Sequence, residues 1–416
     1  MPKARIGEKQ RFDVAIAGGG FVGQALALAL ATLAPEGFRI ALVDSKAPKA
    51  GSDVDARALA LSAATVNLLS ALDLWAELAP KAQPIESIEI TDSPLDAVLR
   101  PHVLGFDAEL KRDGAVAYLV EHGDLHRVLA AAVAQSPAIV VIVPDSVADV
   151  TADPFRATAK LGSGKTIEAS LLVAADGKRS RLRDRAGIKC IGWSYPQVGI
   201  VATVAHERPH HGKAVQHFLP SGPFAILPLK GSRSSIVWTE DKAEAERIMA
   251  LDKAEFLAEL GKRFGHRLGA LSLAGPRQSF PLDMHVARSF IAERLALIGD
   301  AAHVVHPLAG QGLNIGLRDV AALTETIVDA ARLGLDIGAA PQLERYERWR
   351  RFDSAFSAAV MDGLNRLFSN DSAPLRTLRD LGLGVVDRAP ALKRFFVREA
   401  AGATGSVPRL LKGEAQ

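Results

Sequence analysis

The sequence predicts an α/β protein: a Rossmann-like nucleotide-binding domain, an antiparallel sheet inserted into it, and a helical C-terminal region. Three observations carry that prediction. The stretch Asp13 to Asp44 runs strand, glycine turn, helix, strand. The stretch Gly299 to Asp319, GDAAHVVHPLAGQGLNIGLRD, repeats a strand–loop–helix theme near the other end of the chain. Between them, apolar runs from Gln197 to Thr239 are separated by Gly, Pro and Ser turns, the pattern of antiparallel strands.

Composition sets the outer bounds. A chain of 416 residues, 48% of them hydrophobic, can hold two domains or one large interwoven unit. A net charge of +3 with scattered Lys and Arg gives no nucleic-acid footprint. The single cysteine, Cys190, permits neither an internal disulfide nor a Cys cluster for zinc, which fits a reducing, cytoplasmic compartment. Val14 to Pro35 carries no charge and follows Lys3, Arg5, Lys9 and Arg11, so it could score as a membrane span or signal peptide. Gly18, Gly19, Gly20 and Gly23 interrupt its first half, and a soluble strand–turn–helix is the better reading.

In order, Asp13–Ala17 is a short buried strand and Gly18-Gly19-Gly20-Phe21-Val22-Gly23 matches G-x-G-x-x-G at the start of a helix running to about Leu33. In that pattern Gly18 makes the tight turn, Gly20 lets the backbone approach a pyrophosphate, and Gly23 lets helix and strand pack closely. The strand Phe38–Val43 ends on Asp44, roughly 20 residues after the last glycine, where a carboxylate binds ribose hydroxyls. This is a dinucleotide site. Arg57, in DARALALS, is either a clamp on the dinucleotide or a surface arginine at a helix start. Ile85–Thr91 alternates as a strand, Pro94–Arg112 reads as a loop over the site, and Gly123–Ala134 is an amphipathic helix. Gly162-Ser163-Gly164-Lys165-Thr166 resembles the end of a P-loop, but Ala159 replaces the glycine that motif needs, so it reads as a hairpin turn. Leu171–Ala175 is another buried strand; it ends in Asp176-Gly177, followed by Lys178, Arg179, Arg181 and Arg183. Those cations read either as a solvated helix or as anchors for a neighbouring loop and for nicotinamide-cofactor phosphates. Ala243–Phe264 is helical.

The second stretch completes the site. Leu295–Ile298 is a strand stopping at Gly299-Asp300, and Asp300 stands at a strand end, where hydroxyls of a ligand can donate to it. Pro307, Gly310, Gln311 and Gly312 form a turn whose backbone can approach a flat ring. From Leu313 and Asn314 the period becomes helical, and the helix N-terminus favours negative charge on that ring. His303 and His306 are the base candidates of the loop. Their i, i+3 spacing has no carboxylate but Asp300 to complete a metal site, so no metal is expected. The paired His210-His211 reads as solvated. The tail from Ala389 sets Leu392, Phe395, Phe396 and Val397 among Lys393, Arg394 and Arg398. Packing on its own domain is the commoner fate of such a helix, and a membrane surface is the alternative.

GGGFVG with Asp44, VAADG at Val173–Gly177, and the Gly299–Asp319 stretch resemble the group A flavoprotein monooxygenases. DARALALS at Asp55–Ser62, GPFAILPL at Gly222–Leu229 and SSIVW at Ser234–Trp238 resemble their ubiquinone-biosynthesis hydroxylase branch, in order over about residues 12–370. The resemblance implies a GR2-type fold in pieces: FAD-binding parts at 1–84, 113–188 and 281–340, a substrate strand and loop at 85–112, a substrate sheet at 189–280, and a helical region at 341–416. It implies non-covalent FAD, with NAD(P)H and O2 as co-substrates. Gly18, Gly20, Phe21, Val22 and Gly23 would serve the pyrophosphate, Asp44 the ribose, and Arg57 the flavin linker. Asp176-Gly177 would serve FAD and the nicotinamide cofactor, and Asp300 the ribityl chain. Pro307 with Gly310, Gln311, Gly312, Leu313 and Asn314 would line the isoalloxazine. Asp44 stands where the family usually has Glu, and His122 where relatives often have Asn. The implied reaction is hydroxylation of a polyprenylated phenol or quinol precursor of ubiquinone. It would proceed at the cytoplasmic side of the membrane, among other ubiquinone-biosynthesis proteins. Because flavin carries the oxygen chemistry, no catalytic side chain is assigned, and His303 reads better as structural than as a base. Two alternatives stand beside this: a flavin-dependent reductase, or a hydroxylase, of another hydrophobic aromatic or isoprenoid compound; and a non-catalytic, flavin-holding scaffold. Oxygen independence marks the reductase; bound FAD that NAD(P)H cannot reduce marks the scaffold.

Overall fold

The structure, a computed structural model, describes residues 10–46, 55, 57–92, 95, 102–105, 115, 117–369 and 407–414. The amphipathic tail expected from Ala389 to Arg398 lies outside these residues.

An 8-stranded sheet is organised around the strand Gln10–Ala17. Ile40–Val43 lies parallel on one side and Thr166–Ala174 parallel on the other. Ile139–Ile142 and Leu295–Leu297 extend it outward, again in parallel. Val14, Ile16, Leu172 and Val173 have no exposed surface, because the helices Phe21–Leu33 and Gly312–Arg332 share one core with the sheet. That explains why these strands are continuously apolar rather than alternating.

Register is what positions the site. Ala17 pairs with Val43 on one side and Ala174 on the other, and Ala174 pairs with Leu297. Gly18, Asp44, Ala175 and Ile298 therefore leave the sheet at one carboxyl edge, where doubly wound sheets bind ligands. The hairpin arm and the buried strand expected separately from Thr166 to Ala175 are one strand, Thr166–Ala174. Its outer side pairs first with Ala157–Leu161 and then, beyond Ala169, with Leu295–Leu297. The Gly162–Thr166 segment is a turn, with Gly164 at φ +85°. Ser163 donates its N–H and hydroxyl to Asp145 (3.1 and 2.5 Å), so these donors are not free for a phosphate.

The second, 9-stranded sheet contains the strands Cys190–His206, Lys213–Leu219, Gly222–Leu229, Arg233–Asp241 and Gln278–Ala287. It is antiparallel except where Ser87–Asp92, arriving from far earlier in the chain, pairs parallel with Lys213–Leu219. Two expectations change here. Pro94–Arg112 is not wholly loop, since His102–Gly105 pairs with Ser87–Asp92. Ala243–Phe264 is two helices, Lys242–Ala250 and Lys253–Phe264. Asp252 breaks it by accepting from the Glu255 N–H (2.8 Å) while Glu255 accepts from the Asp252 N–H (3.2 Å), a capping box that starts a new helix.

Candidate cofactor-binding site

The first glycine turn fits its neighbours too closely for side chains. Gly18 has φ +115°, and a Cβ there would stand 2.1 Å from the Ala175 carbonyl oxygen. At Gly23 it would stand 1.9 Å from the Gly18 oxygen. Gly18 thus seats the first strand end against the Ala175–Asp176 strand end, and Gly23 seats the helix on the turn. Gly20 faces open space, with nothing within 4 Å of where a Cβ would stand, which leaves its backbone free to meet a pyrophosphate. Gly19, absent from the expected set, belongs to the site. Its N–H donates to Asp44 (2.5 Å), and a Cβ would stand 3.0 Å from that carboxylate. The other Asp44 oxygen accepts from the Lys46 N–H at 2.7 Å. Phe21 sets its ring edge-on to His122, with centroids 4.7 Å apart. Val22 fills the space above Gly299 and Gly316, locking the first helix to the far-end strand.

Arg57 grips Asp55 with Nε and Nη2 (2.9 and 2.5 Å), and its guanidinium lies 5.1 Å from the Phe280 ring centroid. His122 Nε2 stands 3.2 Å from Arg57 Nη2 and 3.4 Å from Asp55, which places it in this cluster. Burial pushes the Asp55 carboxyl up, but the hydrogen bonds and charge of Arg57 outweigh it and hold Asp55 below its ordinary range. Burial lowers His122.

Asp176 has a divided carboxylate. Oδ2 accepts from the Arg181 N–H (2.9 Å) at the next helix start, while buried Oδ1 has no partner among the described residues. Gly177, at φ +81°, faces open space. Of the following cations, buried Arg183 ties two strand ends together by donating to the carbonyls of Lys178 and Ala301, both at 3.2 Å.

Asp300 is exposed to solvent, yet burial among surrounding protein atoms raises its carboxyl, opposed by the charges of His303, His285, Arg57 and Lys178. Its carboxylate thus meets solvent at the strand end. Among the described residues it accepts no hydrogen bond.

His303 turns the other way. Its ring, 2% exposed, places Nε2 2.6 Å from Asp319. Asp319 also accepts from the Gly299 N–H (2.9 Å) and Arg350 Nε (2.8 Å). Burial would raise this carboxyl; His303 and Arg350 together hold it below the ordinary range. His303 therefore braces the strand end behind Asp300, and its ring is buried away from solvent. Arg350, whose partner Asp319 is distant in sequence, lies in the run Arg348-Trp349-Arg350-Arg351, where nothing local separates it from surface charge.

The glycine loop is pinned rather than free. Gly310 has φ +63°, and a Cβ there would meet Ala60 at 3.3 Å. Asn314 does not offer its amide to a ring: Oδ1 accepts from the Ser62 N–H (2.9 Å) and Thr65 hydroxyl (2.8 Å), and Nδ2 donates to Ala60 (2.8 Å). It staples the loop to the strand Ala58–Ser62. Pro307, Gln311, Gly312 and Leu313 complete the turn, and Gly312 faces open space at the N-terminus of the helix Gly312–Arg332. His306 is fully buried, with neither nitrogen partnered among the described residues. Burial lowers it to about 4.

Open glycine faces, a solvent-facing carboxylate at Asp300 and an orphaned Asp176 oxygen fit an extended, hydroxyl- and phosphate-bearing cofactor. The sequence profile of the FAD binding domain family matches residues 11–351. The chain belongs to that family. Its cofactor is FAD. Relatives align over nearly all of the chain. Ubiquinone hydroxylase UbiL of Rhodospirillum rubrum is 43% identical over 96% of this chain and 92% of its own length. The 3-demethoxyubiquinol 3-hydroxylase of Escherichia coli is 36% identical over 94% and 99%. The crystal structure of p-nitrophenol 4-monooxygenase PnpA from Pseudomonas putida shares the fold, with a TM-score of 0.77 at 19% identity over 95% of this chain and 100% of that one.

Proposed function

We propose that this FAD-dependent monooxygenase hydroxylates the aromatic ring of a polyprenylated phenol or quinol precursor in ubiquinone biosynthesis, using NAD(P)H and O2. The observation that carries the reading is the convergence of the Gly18 turn, Asp44 and the Asp300 strand end at one carboxyl edge of the sheet, in a chain whose ubiquinone-hydroxylase relatives align over more than nine-tenths of it. Bound FAD supplies hydride acceptance and oxygen activation. The chain's own residues bind, orient and exclude water. Gly20 presents its backbone to the pyrophosphate, while Gly19 steadies Asp44. Asp44 receives a ribose hydroxyl, and Asp300 a ribityl hydroxyl. Arg57, steadied by Asp55 and His122, faces the linker. The N-terminus of the helix Gly312–Arg332 would favour negative charge on a ring held against the Pro307–Gly312 loop. Arg179 and Arg181, beside Asp176-Gly177, serve the nicotinamide cofactor's phosphates. The chain works at the cytoplasmic side of the membrane, beside other ubiquinone-biosynthesis proteins. Supply of purified, FAD-loaded protein with NAD(P)H, isotopically labelled O2 and a short-chain prenylated phenol tests the reading. A product carrying one labelled oxygen is expected. Oxygen-independent reduction of the substrate, or FAD that NAD(P)H leaves oxidised, refutes it.

A further inference from the structure

The second sheet has two unlike faces. On one, Val215, Ile226, Ile236 and Trp238 of the central strands are buried in a single core with Ile248 and Phe256 of the covering helices. Alternate residues turn to the other face, where Gln216 pairs with Ala225, Ala225 with Val237, and Leu227 with Ser235. That face meets the cofactor loop at two points. Phe218 shares an apolar cluster with Leu308, and Leu227 shares one with Ala60, which a Cβ at Gly310 would abut. Gln216 lies in register between them. Gln216, Leu227 and Val237 are only half-buried, although paired strands flank all three on both sides, so solvent reaches them through this face. Two polar groups there are unmet. Gln216 Nε2 is inaccessible to solvent, the Ser235 hydroxyl is fully buried, and neither has a hydrogen-bond partner among the described residues. A buried donor without a partner costs stability, and its place in an otherwise apolar wall suits a ligand's polar atom.

We infer that Gln216 is the residue that holds the ring hydroxyl of the substrate over the cofactor loop, against apolar walls formed by Leu227 and Val237. A phenol hydroxyl both donates and accepts, so it satisfies that carboxamide whichever way the amide is turned. Ring and prenyl carbons need only apolar contact, which Ala225, Leu227 and Val237 supply. One hydrogen bond at this position fixes which edge of the ring is presented. Orientation, rather than acid–base chemistry, is what the residue contributes. This rests on the proposed phenol or quinol substrate and names the side chain that positions it.

The test titrates FAD-loaded full-length protein with ortho-prenylphenol and with prenylbenzene, which lacks only the hydroxyl, and follows the flavin absorbance. Wild type is expected to bind the phenol more tightly. Gln216→Leu should raise the phenol's Kd about tenfold and leave that of prenylbenzene unchanged, so that the preference disappears. Gln216→Met, unbranched like glutamine, should do the same. Because the donor is unpaired in the free protein, both variants should keep wild-type FAD content and melt at or above the wild-type temperature. A variant that keeps the full preference overturns the inference, as does wild type that shows none. So does a variant that melts several degrees lower, because the amide is then a structural contact. Loss of the preference in the variants of a protein that hydroxylates no phenol supports Gln216 as the hydroxyl's anchor and defeats the functional reading alone.

Discussion

Arg350→Ala tests whether the cofactor strand end is held from behind. Arg350 and Asp319 are 4% and 0% exposed at the side chain, so solvent screens their pairing little. Removing one partner of such a pair leaves a buried charge uncompensated, at about 3–5 kcal/mol. Asp319 keeps its bonds from His303 and the Gly299 N–H, which places the loss toward the lower end. The lost contact to half-exposed Asp353 adds at most about 1 kcal/mol. A total of about 3–4 kcal/mol is a large part of the roughly 5–15 kcal/mol that holds a domain folded. Urea unfolding of FAD-free protein measures it, and FAD titration should show weaker binding, because Asp319 also fixes the Gly299 N–H. The Asp319 carboxyl sits lower in the folded than in the unfolded state. Its contribution is therefore full above about pH 4 and disappears as pH falls through the folded value. A loss below about 1 kcal/mol with unchanged FAD affinity would refute the brace.

Two more predictions follow from single atoms. Gly18→Ala forces a Cβ to 2.1 Å from the Ala175 oxygen at φ +115°, so it should destabilise the protein by at least about 1–3 kcal/mol and abolish FAD retention, both read by thermal melts and flavin absorbance. His306 is lowered to about 4 by burial, so the unfolded state takes up its proton first as pH falls from about 6.5. The stability it permits is full above that pH and declines toward pH 4, by about 3 kcal/mol. His306→Leu should be neutral or stabilising at pH 7 and should flatten that acid limb; an unchanged limb in pH-dependent urea melts would contradict it.

The nucleotide half was legible because its residues are local: the Gly18–Gly23 pattern, its flanking strands and Asp44 lie within one short run. The Gly299–Gly312 stretch was legible for the same reason. What sequence could not supply was pairing across distance. Nothing near Asn314 says that its amide is satisfied by Ala60, Ser62 and Thr65. Nothing near Arg350 distinguishes it from its arginine neighbours. Gly19 was passed over because the motif assigns it no role, although it is the residue that meets Asp44. Only the partners show His122 to be part of the Asp55–Arg57 cluster. By contrast, the break at Asp252 was readable, since Asp-x-x-Glu is a helix-start signature.

The central claim is that one FAD is held between opposite ends of the chain, with Asp300 its far anchor. Calorimetric titration of FAD into flavin-free wild type and Asp300→Ala tests it directly. Loss of a charged acceptor of a ligand hydroxyl removes about 1.5–3 kcal/mol, so Kd should rise roughly 10- to 100-fold while the melting temperature of the flavin-free protein stays unchanged. An unaltered Kd would contradict the claim.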